Sequence, residues 1–176
     1  FGSNTLHSDT PNLPKLGGMT PYLPITPEEV AEEAYRSYNA GASLCHIHAR
    51  DPKTKLATPD IKVWGEVVAR IREKCPIIIE AGGGIGAWVD PQTFQIIIAT
   101  EEQKLKLLDI KPEPDMLTLN MGTFDQSVGQ YGFGTFMQTP PFQRKILQGV
   151  KERGWGLELE IWDVSHLYNT LDRCKE

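Results

Sequence analysis

Two periods alternate along this chain. Between Ser43 and His48 the side chains alternate as on a strand, with Ser43, Cys45 and Ile47 on one side and Leu44, His46 and His48 on the other. From Ile61 to Lys74 the period lengthens: Ile61, Trp64, Val67, Val68 and Ile71 recur at helical spacing, and Pro76 closes the segment. A helix start precedes both, because Thr26 is a capping residue, Pro27 suits the first helical position and Glu29 can bond back to the cap amide. That helix should run to about Asn39, with Gly41 ending it.

Further along, Ile77, Ile78 and Ile79 form a β-branched run suited to a strand buried on both faces, and the Gly82, Gly83, Gly84 turn follows. Residues 92–108 are predicted helical, although Ile96 to Ile98 also suits a strand. Met116 to Asn120 and Leu157 to Trp162 read as strands, and Pro140 to Arg153 as a helix capped by Thr139. Phe1 to Pro24, rich in Pro, Gly and Asn, shows neither period and is read as a long loop. Helix and strand thus alternate, which calls for a parallel sheet, either doubly wound or closed as a (β/α)8 barrel. Four strands are expected, beginning near residues 43, 77, 116 and 157. A full barrel needs eight strands and about 250 residues, so a barrel reading makes residues 1–176 a single domain incomplete at both ends.

Composition narrows the function classes. The 176 residues are 40% hydrophobic and 23% charged, which suits a globular domain, and the net charge of −5 gives no bulk attraction to nucleic acid or an anionic membrane. No apolar stretch is long enough to span a bilayer, and nothing resembles a signal peptide. Cys45, Cys75 and Cys174 cannot make a disulfide framework, so a reducing compartment, the cytoplasm, is expected.

Three constellations could carry chemistry. In His46-Ile47-His48-Ala49-Arg50-Asp51, residues two apart on a strand place two imidazoles side by side, the geometry for two ligands of one cation. The turn Gly82-Gly83-Gly84 offers bare amides to an anion; it begins a literal GxGxxA match, but Asp90-Pro91 interrupts the long helix that a dinucleotide fold requires. Glu158 and Glu160 share a strand face, with Asp163 on the other, and a carboxylate projecting into a barrel is costly unless paired or functional. The corresponding bland readings are a core histidine, a plain tight turn and a solvent-facing strand edge.

Pro21 to Glu29, His46 to Asp51, the Gly82 to Gly84 turn, Leu119-Asn120-Met121-Gly122 and Glu160 to Leu167 together resemble the β-keto acid cleavage enzymes, in order, from about Pro21 to Tyr168. The resemblance implies a zinc-dependent (β/α)8 barrel that condenses a β-keto acid with acetyl-CoA, giving acetoacetate and a new acyl-CoA, usually as a homotetramer. It assigns His46 and His48 to the metal, Glu160 to the catalytic network, and Arg50, Gly82, Gly83, Gly84 and Asn120 to substrate binding. Glu80-Ala81 stands where a Ser/Thr pair is usual, Ser165 where a glycine precedes the histidine matching His166, and the family's late Arg-x-Gly-x-Glu-Asp run is absent. Another metal-dependent barrel lyase or hydrolase, and a non-catalytic truncated barrel serving as a binding or oligomerisation module, are the alternative expectations.

Overall fold

The structure, a computed structural model, describes residues 23–55, 57–90, 92–93, 95–127 and 133–175. The predicted N-terminal loop therefore lies outside the described residues except for Leu23 and Pro24. Helix α1 (Pro27–Asn39) begins as its sequence dictates: the Thr26 side chain accepts from Glu29 N–H while Glu29 reaches back to the cap amide. Gly41, at φ 100°, supplies the left-handed residue that lets the chain leave the helix for strand β1 (Leu44–Ile47). Helix α2 (Ile61–Lys74), capped by Asp60, leads into β2 (Ile78–Ala81).

Four parallel strands make the main sheet, in the order β1, β2, β5 (Met116–Asn120), β8 (Gly156–Glu160). Helix α4 (Pro140–Arg153) precedes β8, ends on Gly154 at φ 67°, and is followed after β8 by α5 (Val164–Arg173). The core lies on one sheet face. Cys45, Ile47, Ile79, Ala81, Leu117 and Leu119 pack there against Ala31, Ala34, Trp64, Val67, Val68, Ile71, Phe142, Ile146 and Val150 from the helices. Each fully buried large side chain contributes roughly 1.5–3 kcal/mol of hydrophobic free energy.

Three expectations are corrected. Residues 92–108 are not one helix: Ile96–Ile98 (β4) pairs antiparallel with Ala87–Val89 (β3), and helix α3 (Glu101–Leu105) starts only where Thr100 and Gln103 form a second capping box. A second hairpin, β6 (Phe124–Ser127) with β7 (Phe133–Phe136), also interrupts the simple helix–strand alternation. The Ile77 to Ile79 run is buried on the helix face only. Ile78, which points the other way, is 42% exposed, because among the described residues no element covers that part of the sheet.

That second face carries the chemistry. Alternation along each strand sends His46, Glu80, Thr118, Asn120, Glu158 and Glu160 to the side opposite the aliphatic core.

Candidate active site

The site gathers at the carboxyl ends of the parallel strands. His46 stands in register with Glu80, and Asn120 with Glu160. Glu80, 0% exposed, accepts a hydrogen bond from His46 Nδ1–H at 2.8 Å. A carboxylate only accepts, so the proton resides on Nδ1 and the lone pair of His46 is on Nε2. That atom faces His48 Nε2 at 2.9 Å, with the ring centroids 4.9 Å apart.

Gly82 makes the approach possible. A Cβ at this position would stand 2.5 Å from both Nε2 atoms, so any side chain would push into the space between the rings. Its amide donates to the Ile47 carbonyl at 3.0 Å, which locks the glycine turn onto the end of β1. Gly82 thus contributes room for the histidines, and Gly83 and Gly84 continue into a short 3-10 turn and then β3 rather than a long helix. The dinucleotide reading fails there.

The two imidazoles sit among carboxylates. Burial first, and then the neighbouring His46 imidazole, pushes the His48 imidazole down to about 3, so it is neutral at physiological pH. Its Nδ1 is sealed from solvent and has no hydrogen-bond partner among the described residues. Burial raises the Glu80 carboxyl, opposed by the His46 hydrogen bond and reinforced by the neighbouring Glu158. Burial also raises Glu160, while His46 and a hydrogen bond from Asn120 hold it back. One nitrogen of His46 and carboxylate oxygens of Glu80 and Glu158 lie within 4.8 Å of one another.

The donor set fits a divalent cation. At a Zn–N length of about 2.0–2.1 Å, two nitrogens on a tetrahedral ion stand about 3.3 Å apart, within a few tenths of an ångström of the separation here. A cation would take the place of the proton that the two Nε2 atoms now share. Glu80 on the far nitrogen of His46 completes a carboxylate–histidine pair of the kind that orients metal-binding imidazoles.

The remaining predicted residues have distinct settings. Arg50, 5% exposed, is tied into the loop after β1 through the Lys55 carbonyl and lines the same cleft as His46 and His48. Asn120 lies beside the glycine turn, its Nδ2 3.5 Å from where a Gly83 Cβ would be. His166, 1% exposed, packs its ring against Gly122 and accepts from Trp162 N–H at 3.2 Å. Sequence reasoning did not assign Glu80 to His46 or give Trp162 any part. The period of β2 places Glu80 on the face shared with His46, and that signal could have found the first.

Polar side chains at the carboxyl ends of parallel strands, joined by helices across the opposite face, define a site of the β/α-barrel type. This chain belongs to the beta-keto acid cleavage enzyme family, whose model matches residues 15–176. It is 27% identical over 177 residues to the 3,5-dioxohexanoate:acetyl-CoA acetone transferase of Paraburkholderia graminis, covering 86% of this chain and 51% of that one. It is 32% identical over 143 residues to the 3-keto-5-aminohexanoate cleavage enzyme of Fusobacterium nucleatum subsp. nucleatum, covering 81% and 47%. The chain spans about half the length of the curated relatives it matches. In fold it resembles the apo structure of ObcA, with a TM-score of 0.67 at 20% identity over 89% of this chain and 34% of that one. No helix among the described residues is long and apolar enough to cross a membrane.

Proposed function

We propose that the site serves a zinc-dependent acyl exchange between a β-keto acid and acetyl-CoA. The observation that carries this reading is the pair of Nε2 atoms 2.9 Å apart at the mouth of the sheet, one of them oriented by Glu80. Family membership and relatives named as acetyl-CoA transferases support it. His46 and His48 would hold the cation, which when bound supplies Lewis-acid polarisation of the keto-acid oxygens.

The chain's own groups would then manage the substrate and its protons. Glu160, whose carboxyl is raised by burial, is suited to taking the α-proton. The resulting enolate carbon forms a bond to the thioester carbonyl and CoA leaves as thiol; that thiol then attacks the other ketone, the adjoining carbon–carbon bond breaks, and acetoacetate and a new acyl-CoA depart. Asn120, Arg50 and the turn at Gly83 and Gly84 would hold the substrate's oxygens, the Gly82 amide being already given to the Ile47 carbonyl. A cytoplasmic setting and a homo-oligomeric assembly belong to the same reading, the chain having only three cysteines.

The test is a panel of β-keto acids incubated with acetyl-CoA and zinc while acetoacetate is followed. Acetoacetate from at least one acid, absent in His46→Ala, is the expected result. Cation binding without acetoacetate from any acid would instead favour another metal-dependent barrel lyase or hydrolase.

A further inference from the structure

Trp162 is 63% exposed, yet its indole is not idle: Nε1–H donates to Asn120 Oδ1 at 2.6 Å, across 42 residues of sequence. An amide side chain can face either way, and the two orientations exchange a donor for an acceptor. The indole nitrogen is a donor only, so the atom facing it must be the amide oxygen. The Asn120 NH2 is therefore turned inward. There it lies beside Gly83 and next to Glu160, its register neighbour.

The indole is itself held from two sides. Trp162 N–H donates to the buried His166 at Nδ1, 3.2 Å away, while His166 Nε2–H donates to the Thr123 carbonyl at 3.3 Å. The ring lies 5.6 Å from that of Phe124, which stacks on Phe136 at 5.1 Å.

We infer that Trp162 is a positioning residue: its indole N–H sets the Asn120 amide so that the site presents a hydrogen-bond donor, beside Glu160, to a substrate oxygen. The inference rests on the acyl-exchange reading only for the identity of that oxygen, a ketone or carboxylate oxygen of the keto acid. Orientation of the amide stands apart from it. A substrate group that could only donate would meet the wrong end of Asn120.

Nitrogen-15 NMR of the whole chain tests this without catalysis. Trp162→Phe keeps the aromatic contact with Phe124 and removes only the donor, and it also assigns the indole signal. The expected result is a Trp162 indole proton that is downfield and protected from exchange, despite its exposed ring, together with an Asn120 NH2 pair displaced from free-amide values. In Trp162→Phe the Asn120 pair should return toward free values, and in Asn120→Ala the indole proton should exchange roughly three- to tenfold faster, the range a single net hydrogen bond spans. An Asn120 pair unmoved in Trp162→Phe, with the backbone amide spectrum otherwise preserved, would overturn the inference. Should Trp162→Phe unfold, indole exchange unchanged in Asn120→Ala overturns it equally. Zinc binding by His46 and His48, measured on the same samples, tells failure of this inference from failure of the proposed function.

Discussion

Gly82 is the residue on which the histidine pair depends most narrowly. Its missing Cβ leaves the volume into which both Nε2 atoms point, so Gly82→Ala must splay the rings or displace the turn. Zinc affinity measured by calorimetry should fall by about 10- to 100-fold, the range found when the support of metal-binding histidines is disturbed. Glu80→Gln removes the charge that holds the proton on His46 Nδ1 but keeps an acceptor, so a loss of about tenfold is expected in the same titration. The histidines themselves were legible, because a two-residue spacing on a strand forces two side chains to one side. Trp162 was not, since its partner lies 42 residues away on β5 and no local period announces such a bond.

Among the elements, α3 and the two hairpins are where local pattern misled. Ile96 to Ile98 satisfies a helix period as readily as a strand, and only the facing Ala87 to Val89 decides between them. The parallel strands and α1, α2 and α4 were readable because caps and buried periods agree there. Helix α3 carries Lys104, which is 2% exposed, donates to the Met137 carbonyl and lies 3.9 Å from the centre of the Phe136 ring. Burial pushes its ammonium down to about 8 from an ordinary 10.5. A base with a lowered folded pKa bears the full cost of burial below about pH 8 and sheds it as the pH rises toward 10.5, so this group makes stability increase over that window. Lys104→Met should therefore stabilise the protein at pH 7 by roughly 1–3 kcal/mol in urea unfolding. The advantage should shrink near pH 10, where wild type no longer carries the charge.

At the scale of the molecule, part of one sheet face and one helix remain uncovered among the described residues. Leu44 and Ile78 are exposed on the sheet, and Val164, Leu167, Tyr168 and Leu171 form an exposed stripe at helical spacing on α5. A contiguous apolar surface of this kind drives association. Sedimentation should show concentration-dependent self-association that Val164→Glu with Leu171→Glu reduces, at unchanged helical content by circular dichroism. Strand alternation predicted which residues face away from the core. It could not predict that Leu44 and Ile78 would be exposed there, since exposure depends on what packs opposite.

The most direct measurement is zinc stoichiometry of the purified chain and of its His46→Ala and His48→Ala variants, by elemental analysis after equilibrium dialysis. About one zinc per chain in the wild type and little in either variant, with all three folded, is the predicted result. Full zinc in both variants, or none in the wild type, would contradict a cation held between those two rings.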